Sequence, residues 1–123
     1  MISSWREATF VSFDTETSGK YPLADEVCEI AAVKLQGGRV IDEFQSFIKV
    51  SRPMSNEVIQ IHHITNEMLV GAPNAETVIV NFVKFVEDSY MVAHHAPFDM
   101  GFLAPLIEKA RLPLPKNNVF CSS

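Results

Sequence analysis

Phe13-Asp14-Thr15-Glu16-Thr17-Ser18-Gly19 follows the apolar run Phe10-Val11-Ser12-Phe13. Such a run reads as a buried strand, assigned here to residues 8–14. Side chains two apart on a strand share a face, so Asp14 and Glu16 project together with Cα atoms roughly 6–7 Å apart. Two carboxylates side by side repel. A divalent cation with oxygen ligands is the natural compensation. For Asp-x-Glu taken alone, a polar strand end running into a Ser-Gly turn is the favoured reading. The rest of the chain decides between the two.

The 123 residues suit one small domain, and 47% hydrophobic content is too apolar for disorder. No run of about 18 apolar residues is present, so no membrane span is expected. Met1 to Glu7 lacks a basic stretch followed by an apolar core, so no signal peptide is expected. Cys28 and Cys121 lack metal-type spacing and read as free thiols of a cytoplasmic protein. A net charge of −5 argues against gripping long nucleic acid by bulk electrostatics. It leaves room for an enzyme that holds a few nucleotides through bound metal.

Val27–Leu35 and Arg39–Val50 read as strands joined by Gly37-Gly38, a strong hairpin signal. Residues 53–70 read as two short helical pieces around Ile61-His62-His63-Ile64-Thr65. Ala75, Val78, Ile79, Phe82, Val83 and Val86 carry helical spacing over 74–88, with Asn74 as cap. Tyr90–Ala93 reads as a strand. Residues 97–111 read as a helix, kinked at Pro105, and Asn118–Cys121 as the start of a last strand. The order predicts an α/β mixed sheet with an antiparallel hairpin at one edge and parallel crossovers beyond it.

His94-His95-Ala96-Pro97-Phe98-Asp99 sits where the fourth strand gives way to a helix. Asp99 falls in the first helical turn, where the dipole favours a carboxylate. If that strand lies parallel to the first, Asp99 shares a sheet edge with Asp14 and Glu16. Three carboxylates without a nearby cysteine suit Mg²⁺ or Mn²⁺. Paired ions of this kind serve in-line displacement at phosphorus. The two His pairs do not match a standard zinc spacing. Lys109, Arg111 and Lys116 near a helix end read as solvated charges before phosphate contacts.

These stretches together resemble the DnaQ-like 3′–5′ exonucleases, the proofreading subunit of DNA polymerase III and its relatives. Phe13–Gly19 resembles their first motif. Ile61-His62-His63-Ile64-Thr65 resembles Ile-His-Gly-Ile-Thr, with His63 for Gly. His94–Asp99 resembles His-Asn-Ala-x-Phe-Asp, with His95 for Asn. The resemblance runs from about residue 8 to the end of the chain.

It implies a ribonuclease H-like fold in a single domain over residues 1–123. It implies two catalytic Mg²⁺ or Mn²⁺ ions on Asp14, Glu16 and Asp99. Thr17, His62, His95 and Phe98 are then the substrate-side residues. The implied substrate is a single-stranded DNA or RNA 3′ end, and the implied partner a polymerase subunit. The family's third motif, His-x-x-x-x-Asp in a C-terminal helix, does not follow Asp99 here. These residues therefore read as the N-terminal two-thirds of such a nuclease, with the C-terminal helices missing. The 123 residues are expected to be nearly inactive alone and to self-associate through an exposed sheet face. A non-catalytic nucleic-acid-binding or assembly module with the same fold is the alternative.

Overall fold

The computed structural model describes residues 7–113 and 119–121. Five strands form one sheet: β1 (Thr9–Thr17), β2 (Val27–Gln36), β3 (Arg39–Phe47), β4 (Tyr90–Ala93) and β5 (Val119–Cys121), in spatial order β3-β2-β1-β4-β5. The helices are α1 (Asn56–His62), α2 (Ala75–Val86) and α3 (Ala96–Lys109), with a 3-10 turn at Glu67–Leu69. β1 pairs antiparallel with β2 and parallel with β4, and β5 continues the parallel side. The expected mixed sheet is present. β1 runs three residues further than the sequence reading placed it, so Asp14 and Glu16 lie within the strand. β3 stops at Phe47, short of the expected Val50.

The hairpin forms where the two glycines stand. Gly37 and Gly38 have φ of 59° and 77°, and Gln36 pairs with Arg39. Positive φ at both central positions matches the right-handed twist of the flanking strands.

Alternation along β1 sets the layers. Val11, Phe13 and Thr15 are buried, whereas the residues between them are exposed or half-buried. Val11 and Phe13 join Ile30 and Ala32 of β2 and Met91 and Ala93 of β4 in the main core. α2 supplies Val78, Ile79, Phe82 and Val86 to it, and α3 supplies Phe102, Leu103 and Ile107. Phe82 is fully buried, with ring centroids 5.8 Å from Phe13 and 5.7 Å from Phe44. A side chain of this size contributes about 1.5–3 kcal/mol by leaving water. The β-branched residues of α2 are weak helix formers, so this packing holds the helix. Asn74 caps it, accepting from the Thr77 N–H at 2.8 Å. α3 continues through Pro105, whose ring removes only the backbone bond to Gly101.

A second cluster, Cys28, Met54, Ile64 and Leu69, packs the 53–70 segment against the end of β2. Here α1 is capped by Ser55 and ends at His63, which takes φ 62° and ψ 17°. This left-handed position costs a side-chain-bearing residue about 1–2 kcal/mol. The conformation explains why the resembling motif carries glycine at this point.

His63 is exposed, so its replacement removes no packing. His63→Gly relieves the backbone penalty but adds unfolded-state freedom worth about 0.5–1 kcal/mol. A net gain near 0.5–1 kcal/mol raises the melting temperature by about 2–5 °C. An unchanged or lower melting temperature contradicts this reading of the turn.

Candidate active site

β1 presents two carboxylates from one face and a hydroxyl from the other. Asp14 is exposed and Glu16 half-buried, on the face away from α2 and α3. Glu16 stands directly opposite Glu29 of β2. Like charges in that position destabilise a sheet. Gln45 relieves part of the cost, donating from Nε2 to Glu29 Oε2 at 2.8 Å. Burial raises the Glu16 pKa above its ordinary value, and the charges of Asp14, Glu29 and Asp99 raise it further.

Asp99 enters from the first turn of α3. It is only 4% exposed. Burial raises its pKa, hydrogen bonding by Thr15 opposes that, and Asp14 raises it again. Thr15 Oγ1 donates to Asp99 Oδ1 at 2.5 Å. The parallel β1–β4 pairing ends at Ser12–Val92, so beyond it Asp99 occupies the flank of β1 that β4 leaves open. The three carboxylates therefore lie together at the C-terminal ends of β1 and β4, where Asp14 and Asp99 both raise the pKa of Glu16. Among the described residues, no three His, Cys, Asp or Glu side chains close into a ligand set in this conformation.

The turn after β1 is locked by its own atoms. Thr17 Oγ1 donates to the Gly19 carbonyl at 2.6 Å. Ser18 N donates to the Glu26 carbonyl at 2.8 Å, and Glu26 N donates to Ser18 Oγ at 2.9 Å. A Cβ on Gly19 would lie 2.2 Å from Asp25 Oδ2, so a larger residue there must displace the Asp25 side chain, which accepts from the Tyr21 N–H at 3.0 Å.

His62 points inward. Its Nδ1 accepts from the Ile64 N–H at 3.0 Å, which leaves the proton on Nε2. Nε2 lies 3.8 Å from Cys28 Sγ, and the ring also hydrogen-bonds the Thr17 backbone. Burial lowers the His62 pKa, and the Thr17 bond opposes it. Both ring nitrogens are therefore engaged within the protein. Burial pushes the Cys28 thiol up to about 12, helped by Glu16 and Glu29. It is an inert buried thiol, as the sequence suggested.

His95 occupies the position before α3 without capping it, its ring centroid 4.3 Å from that of His94. Phe98 is 41% exposed on the first turn of α3, its ring 5.1 Å from Phe102. Lys109 lies ten residues beyond Asp99, about 15 Å along the helix. There it lines a cavity of about 410 Å³ with Glu26, Lys49 and Glu76, apart from the carboxylates. Lys116 lies outside the described residues. Sequence reasoning missed Thr15 and Glu29. Antiparallel pairing of the first two strands could have placed Glu29 opposite Glu16. Nothing local marks Thr15.

The exonuclease family model, RNase_T, matches residues 11–122. DNA polymerase III PolC-type of Thermotoga maritima is 47% identical over 107 residues, and that of Bacillus cereus 42% identical over 113. These alignments cover 87% and 92% of the chain but 8% of each relative, so the chain spans a small part of their length. Exonuclease X in complex with 5′ overhanging duplex DNA superposes with a TM-score of 0.69 at 28% identity, covering 91% of this chain and 58% of that one. A product-bound exonuclease I superposes at 0.82 with 16% identity, over 94% of this chain and 30% of that one, a likeness of fold. The chain belongs to the exonuclease family, and its sheet and helices are those of the ribonuclease H-like exonuclease fold.

A buried carboxylate with a raised pKa stabilises the fold in its protonated form and loses that contribution as pH rises through its folded value. Asp99→Asn keeps an oxygen for Thr15 and removes the charge. Without divalent metal, the variant is expected to melt like the parent near pH 4 and above it at pH 7. The gap should widen as pH rises from the ordinary carboxylate value of 3.8. Melting temperatures in chelator across that range check this, and a gap that does not grow contradicts it.

Proposed function

We propose that the chain is the nuclease part of a 3′–5′ exonuclease acting on the 3′ end of single-stranded DNA. The observation that carries this reading is the convergence of Asp14, Glu16 and Asp99 at one sheet edge of an exonuclease-family fold. Their donors are all carboxylate oxygens, the chemistry that suits Mg²⁺ or Mn²⁺. Divalent ions held there supply charge neutralisation and water activation for displacement at phosphorus. Asp14 and Glu16 offer their oxygens from the open face of β1, and Asp99 would complete the set from α3 once ions are bound. Phe98 presents a partly exposed ring beside Asp99, suited to stacking on a terminal base. His95 and the Thr17 turn border the same edge. His62 acts through the Thr17 backbone and its ring face, since its nitrogens are occupied.

The PolC-type relatives support a DNA polymerase III context, in which the chain works beside a polymerase in the cytoplasm. No helix among the described residues is long and apolar enough to cross a membrane. The sheet face opposite α2 and α3 carries half-buried Phe10, Val33, Tyr90 and Val92, with Phe10 and Tyr90 rings 5.5 Å apart. That face is the one on which a polymerase subunit or a second copy packs.

No His-x-x-x-x-Asp follows Asp99 within these 123 residues. A general base contributes about 10²–10⁴-fold. The 123-residue chain is therefore expected to bind Mn²⁺ and gain thermal stability from it, while releasing nucleotides at least about 100-fold more slowly than an intact relative. Asp14→Asn or Glu16→Gln abolishes both the stabilisation and the residual release. The measurement is 3′-end degradation of single-stranded DNA alongside melting in Mn²⁺. Absence of any metal effect supports a non-catalytic module, and turnover equal to that of an intact relative removes the need for a further base.

A further inference from the structure

Thr15 breaks the pattern of its own strand. Val11, Phe13 and Thr15 are successive core-facing positions of β1, and the first two are apolar. Thr15 is 6% exposed, so its hydroxyl is out of water and needs a partner. The partner is Asp99, 84 positions away in sequence. Valine has nearly the same shape and the same preference for strands, and would fit an apolar layer without that need. What threonine adds at this position is a donor aimed at one carboxylate oxygen.

Two groups of Thr15 hold the Asp99 carboxylate: the backbone, by a hydrogen bond, and the hydroxyl, on Oδ1. α3 brings the Asp99 Cα to the edge of the sheet. Thr15 sits on the α3 side of β1, opposite in direction to Asp14 and Glu16. A hydroxyl bound to Oδ1 from that side limits how the carboxylate can turn. Groups that hold a metal-binding carboxylate from behind in this way tune its affinity for the ion.

We infer that Thr15 is a positioning residue, whose hydroxyl holds one Asp99 oxygen so that the other is presented to a divalent cation shared with Asp14 and Glu16. The inference rests on the metal-dependent nuclease reading above. It makes the buried hydroxyl of the first motif a contributor to metal affinity without touching metal or substrate.

Titration of the 123-residue chain with Mn²⁺, with free ion read by electron paramagnetic resonance well below the melting temperature, tests it. Thr15→Val is expected to weaken Mn²⁺ binding by about 10–100-fold. Thr15→Ser, which keeps the donor but loses a methyl group, returns the affinity to near the parent value. A merely structural role predicts lower melting temperatures in both variants with unchanged Mn²⁺ affinity. Should T15V not fold, T15A carries the same expectation. Unchanged affinity in the folded valine or alanine variant overturns the inference and leaves the nuclease reading standing. Failure of the parent chain to bind Mn²⁺ overturns both.

Discussion

Strand β1 has to serve two environments at once, and the rest of the molecule is arranged around that demand. One face carries Val11 and Phe13 into a core shared with α2 and α3. The other carries Asp14 and Glu16 towards solvent. A shift of one residue in register would bury the carboxylates and expose the hydrophobes. The pairing with β2 over nine positions, and with β4 on the other side, fixes that register. The position of the charged pair therefore follows from the packing of the apolar pair.

The cost of this arrangement falls at the C-terminal end of the strand. Asp14, Glu16, Glu29 and Asp99 are brought together, and among the described residues no Lys or Arg is one of the charges that move the Glu16 and Asp99 pKa values. Burial and mutual charge raise the pKa values of Glu16 and Asp99. Such frustration is characteristic of functional sites, where stability is given up for chemistry. The hydrogen bonds around the site limit the damage. Thr15 holds Asp99, His62 bonds the Thr17 backbone, and the Ser18–Glu26 ties close the following turn. These bonds tie the end of β1 and Asp99 to their surroundings.

Much of this was legible in the sequence. The hairpin followed from Gly37-Gly38, α2 from its periodicity, and the place of Asp99 from the strand-to-helix junction before it. These are local signals, each expressed within a dozen residues. The bond between Thr15 and Asp99 was not legible, because it joins positions 84 apart and depends on how α3 crosses the sheet. The inward orientation of His62 was equally hidden, since it depends on Cys28 and on the left-handed turn at His63. The end of β1 was misplaced because Asp, Glu and Ser-Gly are poor strand formers. Pairing with β2 as far as Thr17 overrides that preference.

The proposed divalent-metal site of this exonuclease-family chain consists of Asp14, Glu16 and Asp99. Anomalous diffraction from crystals grown with Mn²⁺ and a nucleoside monophosphate tests it most directly. One or two Mn²⁺ peaks are expected, ligated by these three carboxylates and about 3.5–4 Å apart where both are present. Peaks confined to other surfaces, with the three carboxylates left unligated at saturating Mn²⁺, would contradict it.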